Sequence, residues 1–273
     1  QFAIGSGRVG PVLMPAWGSA LEIIAHRGAS YDAPENTVTS AKLGWAQGAD
    51  AVEIDIHGAP AGIIVIHDDT TDRTTNRSFP VAGLTEEQRL SCDAGSWKGP
   101  QFAGERLPVL GEILEAMPSG GRLVIEVKKP SAFPPLPEAL NASGHAPGQF
   151  MIIAFDPDIA ARARQALPES KVLRLASHEP ENPTHHIDEL IRVSREAGLD
   201  GLNLSRRWPI TAELVRKVHD AGLFLYVWTV DDAGEARRLK EAGVDGITTN
   251  RPGWLREHLS QPPRSEPDAG SPQ

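Results

Sequence analysis

Six residues stand at spacings that could do chemistry: His26, Glu53, Asp55, His67, Glu126 and Lys128. Side chains alternate across a strand, so residues two apart share a face. Glu53 and Asp55 then point one way, and so do Glu126 and Lys128, while Val52, Ile54, Ile125 and Val127 point the other. Three carboxylates and a lysine would meet on one face. Burying them without partners would cost several kcal/mol each, roughly. A divalent cation would offset that cost, and three hard oxygen ligands suit Mg²⁺ or Ca²⁺ better than zinc. An imidazole titrates near neutrality, so His26 and His67 could pass protons as general acid and base. Arg27 and Lys128 supply positive charge for a phosphate. Together these are the parts needed for water to attack a phosphodiester. Plainer readings stand beside this one. Glu53 and Asp55 could form a salt-bridge cluster, Glu126 and Lys128 could pair with each other, and a lone histidine or Trp228 could be structural.

The elements that must position these residues alternate along the chain. Strand-like runs fall at 21–26, 51–56, 63–67, 122–128, 150–155, 171–176, 200–204, 223–229 and 245–250. Helical stretches are expected at 36–48, 110–117, 157–166, 185–197, 211–221, 232–242 and 252–259, with Thr211 as an N-cap and Gly222 as a stop. Near-continuous apolar strands alternating with helices predict a parallel sheet covered by helices. About eight such units in 273 residues predict an α/β fold of the (β/α)8 TIM-barrel type. In that fold, catalytic groups sit at the C-terminal ends of strands, and the candidates fall there. The polar, turn-rich stretch 68–107 follows the third strand-like run and is expected to be a small insertion lying over the barrel mouth. Residues 1–19 read as a flexible leader, 20–260 as one catalytic domain, and 261–273 as a disordered tail. The other histidines, His57, His145, His178, His185, His186, His219 and His258, lack a comparable context and read as surface or structural residues.

Composition narrows the class. The net charge is -9 and no basic stripe appears, which disfavours a nucleic-acid partner. No apolar run is long enough to span a membrane. Cys92 is the single cysteine, so no internal disulfide forms. That favours a reducing, cytoplasmic setting, with a periplasmic or secreted one open if a signal peptide has been removed. The sequence leaves the oligomeric state undetermined.

The run from Ile23 to Asn76, with its HRG, PENT, ExD and HD motifs, strongly resembles the glycerophosphodiester phosphodiesterase family. The resemblance continues through 84–90, 106–114, the ExK of 126–128, 227–232 and 243–252. It implies a TIM barrel, one divalent cation (Ca²⁺ or Mg²⁺), and cleavage of a small glycerophosphodiester to glycerol 3-phosphate and an alcohol. By matching position it implies His26 and His67 as the acid/base pair and Glu53, Asp55 and Glu126 as metal ligands. Arg27 and Lys128 match phosphate contacts, Trp228 a pocket wall, and Glu35 of PENT a supporting residue. Three departures stand out. The turn Gly58–Gly62 looks about one residue short, which could shift His67. Asp231 stands where Asn is common, and Asn250 where Asp is common. Two rival functions remain: a phospholipase D-like or lyase activity on lysophospholipids, which should bring an apolar lid, and a barrel that binds phosphorylated ligands without turning them over.

Overall fold

The computed structural model describes residues 17–18, 20–179, 181 and 186–261. The segments expected to be flexible, 1–19 and 261–273, lie almost wholly outside the described residues, as does His185. Among the described residues nine strands follow in chain order: β1 (Glu22–Ala25), β2 (Ala51–Ala59), β3 (Gly62–Val65), β4 (Leu123–Val127), β5 (Phe150–Ala154), β6 (Lys171–Ala176), β7 (Gly201–Ser205), β8 (Phe224–Trp228) and β9 (Gly246–Thr249). All but β3 are parallel. β1 pairs with both β2 and β9, which closes the eight into a (β/α)8 barrel. The helices are α1 (Val38–Ala46), α2 (Glu86–Leu90), α3 (Leu110–Ala116), α4 (Pro135–Ala142), α5 (Pro157–Ala166), α6 (Ile187–Glu196), α7 (Ala212–Asp220), α8 (Ala233–Ala242) and α9 (Pro252–Ser260). Thr211 caps α7 by accepting from Leu214 N, and Gly222 follows with φ +77°. Helix α4 escaped the sequence reading because its first turn is rich in proline. Pro135 occupies the first helical position, where the missing N–H costs nothing.

The third apolar run does not become a barrel stave. Only Pro60 and Ala61 separate β2 from β3, too few residues for a parallel crossover, so β3 folds back antiparallel with Ile56 opposite Val65. Gly58 is required there, because a Cβ would lie 2.0 Å from the Ser131 carbonyl oxygen. The insertion after the hairpin has a small core of its own, in which Val81, Leu84, Cys92 and Leu107 pack on Ile64 and Ile66.

Inside the barrel, Ile24, Ala51, Val124, Met151, Ile153, Leu173, Leu175 and Tyr226 form one apolar layer. Outside it, Val52, Ile54, Ile125 and Val127 face the helices, as their spacing predicts. The N-terminal end of the barrel is plugged by a closed polar cluster. The Glu22 carboxylate accepts from Arg122 (2.5 Å), Tyr226 OH (2.5 Å) and Gly18 N (3.3 Å). Arg122 also donates to Asp50 O and lies over the ring of Trp17, at 4.2 Å. Trp17 is buried and belongs to this plug.

Candidate active site

At the opposite end, β1 runs into a tight turn. Arg27 and Gly28 both adopt left-handed backbone, with φ of +54° and +81°. Gly28 lies against helix α1, where a Cβ would be 2.4 Å from the Ser40 carbonyl carbon. The turn aims the Arg27 N–H at Glu53 Oε2 (2.8 Å) and its guanidinium at Asp55 Oδ2 (3.1 Å) and Glu35 Oε1 (2.8 Å). Asn36, also left-handed at φ +57°, completes the turn. Its amide donates to Asp55 Oδ2 and accepts from Asp55 N.

Glu53, Asp55 and Glu126 are all buried, and one oxygen from each lies within 4.8 Å of the others. The register explains this. Asp55 of β2 is directly opposite Glu126 of β4, and Glu53 is one pleat below. Burial and the neighbouring carboxylates Asp55 and Glu126 push the Glu53 carboxyl well above the usual range. Burial and Asp55 likewise push Glu126 up to about 7, against the pull of Lys128. Burial would raise Asp55 too, but Arg27, Lys128, His67 and Asn36 outweigh it and hold Asp55 well below the usual range. Lys128 Nζ contacts Glu126 Oε1 at 2.6 Å and Asp55 Oδ1 at 3.4 Å, so the Glu126–Lys128 pair does form. It does not satisfy the cluster. Among the described residues Asp55 Oδ1 is buried without a hydrogen-bond partner, and three carboxylates face two cations. This donor set fits one hard divalent cation.

Both histidines reach the same cavity, but by different routes. His26 follows β1 directly. His67 arrives by the returning hairpin strand, where Ile66 N bonds to Asp55 O and sets its level. The short turn therefore leaves His67 beside the carboxylates. His57 is buried beneath it, 3.2 Å from the His67 carbonyl oxygen. His67 Nδ1 lies 2.6 Å from Asp68 Oδ1, which leaves Nε2 to face outward from that pair. His26 Nδ1 lies 2.7 Å from Asn250 Oδ1. The Asn250 amide N–H bonds go to Asp231 Oδ2 (2.6 Å), so its oxygen faces the ring and the ring nitrogen donates. Burial and adjacent Arg27 drive the His26 pKa down to about 4, against the Asn250 hydrogen bond. The two departures at 231 and 250 are thus partners: the carboxylate and the amide have exchanged places within one hydrogen-bonded pair.

One functional residue was not singled out in the sequence. Arg73, from the insertion, binds Asp68 Oδ2 (2.5 Å) and both oxygens of Glu35 (2.8 and 3.0 Å). A continuous ionic belt therefore runs His67–Asp68–Arg73–Glu35–Arg27–Asp55. The Asp-x-x-x-x-Arg spacing from Asp68 to Arg73 was available as a signal, but its second partner lies 38 residues away. The insertion otherwise docks at the edge of the mouth, through Lys98 Nζ to Ser30 O and Glu105 to Thr39. None of its residues is among those that line the cavity shared by His26 and His67.

The cavity, of about 110 Å³, joins His26, Arg27, Glu53, His67 and Glu126 to a less polar wall of Ile153, Phe155, Leu175, Asn203, Trp228 and Thr248. Trp228 is in the wall, with Phe155 edge-on to it at 5.6 Å. Asp55 and Lys128 are not among the cavity's lining residues, and Lys128 borders a second pocket with His67, Asp68, Asp69 and Lys129. Among the described residues, no helix is long and apolar enough to cross a membrane.

Comparison with known proteins points one way. The model of the glycerophosphoryl diester phosphodiesterase family matches residues 26–254. A glycerophosphodiester phosphodiesterase of Caldanaerobacter subterraneus is 33% identical over 239 residues, covering 85% of this chain and 95% of that protein. One from Bacillus subtilis is 31% identical over 249 residues, covering 84% and 83%. Among solved structures, a phosphodiesterase from Oleispira antarctica in complex with the product sn-glycerol-3-phosphate superposes with a TM-score of 0.76. It is 25% identical and covers 91% of this chain and 98% of that one.

Proposed function

The chain belongs to the glycerophosphoryl diester phosphodiesterase family and is a phosphoric diester hydrolase, and from that premise we propose that it releases sn-glycerol 3-phosphate from glycerophosphodiesters using one divalent cation and the pair His26 and His67. The observation that carries the cation is the unsatisfied carboxylate cluster: among the described residues Asp55 Oδ1 is buried without a hydrogen-bond partner, its ion pair with Lys128 being 3.4 Å long, and Glu53 and Glu126 are pushed toward protonation. Glu53, Asp55 and Glu126 would hold Mg²⁺ or Ca²⁺. Such a cation, when bound, supplies Lewis-acid polarisation of a phosphoryl oxygen and a template for substrate oxygens.

The chain's own residues do the rest. Arg27 and Lys128, each anchored on Asp55, present positive charge where negative charge builds on the phosphoryl oxygens. His26 is neutral near pH 7 and donates through Nδ1, so its Nε2 lone pair accepts the proton of the nucleophile. His67 delivers a proton to the leaving alcohol, and Asp68 stabilises the positive charge the ring carries while it holds that proton. Trp228 and Phe155 close one side of the pocket. Glu35 fixes Arg27 rather than touching substrate. Residues 20–260 act as one catalytic unit.

The test is release of glycerol 3-phosphate from glycerophosphocholine and glycerophosphoethanolamine, and of lysophosphatidic acid from a lysophospholipid, with and without chelator. Turnover of the first two, lost with chelator and restored by Mg²⁺ or Ca²⁺, is expected. Full activity in chelator would remove the cation. Exclusive turnover of the lysophospholipid would favour the lipid-directed alternative, and a cyclic phosphate product would identify the glycerol hydroxyl as nucleophile.

A further inference from the structure

Three asparagines surround the mouth, and their amides are not equally satisfied. Asn36 uses both ends on Asp55. Asn250 uses both ends, on His26 and Ser30 at the oxygen and on Asp231 at the nitrogen. Asn203 differs. It is only 2% exposed, yet its Oδ1 is buried with no hydrogen-bond partner among the described residues. Its neighbours Leu202 and Leu204 pack outward with the helices, so alternation turns Asn203 into the barrel. There it lines the cavity between apolar Ile153, Leu175 and Trp228. Its own backbone is rigidly held: the carbonyl accepts from Trp228 Nε1 at 3.1 Å, and Asn203 pairs with Tyr226 across the sheet.

A bare amide oxygen in an apolar wall is a cost that folding does not recover, since a leucine of similar size would fill the same space. The cost is recovered only when something in the cavity donates a hydrogen bond. The cavity is shared with the two histidines and with Glu53 and Glu126, so a substrate whose phosphate sits against them would bring its hydroxyls to this wall. We infer that Asn203 is a specificity-determining residue that accepts a hydrogen bond from a hydroxyl of the glycerol unit. The site thereby selects phosphodiesters of a polyol over those of a simple alcohol. Thr248, also buried and lining the cavity, adds a second neutral polar group to the same wall. This inference rests on the glycerophosphodiesterase reading above and sharpens it to one contact.

The donor could come from the glycerol or from the departing alcohol, and substrate chemistry separates the two. A choline ester carries no donor on its alcohol side, so in glycerophosphocholine only the glycerol hydroxyls can reach Asn203. An ethanolamine ester adds an ammonium donor on the alcohol side. The experiment measures kcat/KM for wild type and Asn203→Leu on glycerophosphocholine, on its two analogues lacking either the 2- or the 3-hydroxyl, and on glycerophosphoethanolamine. Wild type should prefer glycerophosphocholine over one deoxy analogue by roughly 10–100-fold. Asn203→Leu should lose that factor on glycerophosphocholine and glycerophosphoethanolamine alike and match wild type on the deoxy analogue. Asn203→Ser, which keeps an acceptor, should recover part of the preference, and it carries the test if the leucine variant does not fold. Equal loss on every substrate would mark a structural residue and overturn the inference. So would no loss at all, or loss confined to the ethanolamine ester. Turnover by wild type without discrimination overturns this inference alone; no turnover of any glycerophosphodiester overturns it together with the reading beneath it.

Discussion

The two ends of the barrel both bury charge, and they do so in opposite ways. At the N-terminal end, Glu22 is matched by Arg122, Tyr226 and a backbone N–H, and Trp17 seals the group from below. At the C-terminal end, Glu53, Asp55 and Glu126 face Arg27 and Lys128, and one Asp55 oxygen has no hydrogen-bond partner. On the proposed function, the same residue types therefore act as a stopper at one end and as a receptor at the other. Charge balance distinguishes them, since burial is similar. A matched cluster is costly to break, because removing one partner strands the other charge. An over-acidic one lowers the stability of the cation-free chain, and on the proposed function it is there to bind a cation.

Substitutions at the two ends should separate activity from stability. The largest effect is expected at the mouth. His26→Ala, His67→Ala and Glu53→Gln should each cost on the order of 10²–10⁴ in kcat/KM. The melting temperature of cation-free Glu53→Gln should be unchanged or raised, because a repelled carboxylate has gone. A lowered melting temperature would mean the mouth is a structural cluster like the plug. Next, Arg122→Ala should strand the Glu22 carboxylate and cost roughly 3–5 kcal/mol in denaturant unfolding, with kcat retained at temperatures where the variant is folded. Loss of kcat in folded Arg122→Ala would break the contrast from the other side.

A subtler difference lies in pH. In the folded, cation-free chain Glu53 and Glu126 hold protons that the unfolded chain releases above about pH 4–5. Between there and the Glu126 value of about 7, cation-free stability should fall as pH rises. Asp55 works with the opposite sign, and its contribution is lost only as pH falls through its depressed pKa. A bound cation replaces the protons, so the rise in melting temperature on adding Ca²⁺ or Mg²⁺ should grow from about pH 5 to about pH 8. An increment independent of pH would contradict the carboxylate assignment. The smallest effect concerns the exchanged pair. Asn250→Asp sets a carboxylate on His26 Nδ1, favours the imidazolium, and should move the acid limb of kcat/KM to higher pH. An unmoved limb would show that His26 protonation does not limit the rate.

Much of this was legible in the chain itself. The two-residue spacings of Glu53 with Asp55 and Glu126 with Lys128 follow from strand alternation alone, and each candidate strand formed. What escaped depends on partners distant in sequence. Arg73 has meaning only once Glu35 and Asp68 stand on either side of it. Asn203 resembles any strand residue until its oxygen is seen without a donor. The antiparallel return of β3 was foreshadowed by its two-residue turn, but the alternation of apolar runs concealed it. The exchange of Asp231 and Asn250 reads as two unrelated departures until the pair is found to be hydrogen-bonded.

The most direct test of the contrast between the two ends is calorimetric titration of Ca²⁺ and Mg²⁺ into the cation-free protein, its Asp55→Asn variant and its Glu22→Gln variant. One cation per chain is predicted for wild type and Glu22→Gln, and none for folded Asp55→Asn. Unchanged binding in Asp55→Asn, or no binding in wild type, would contradict the account.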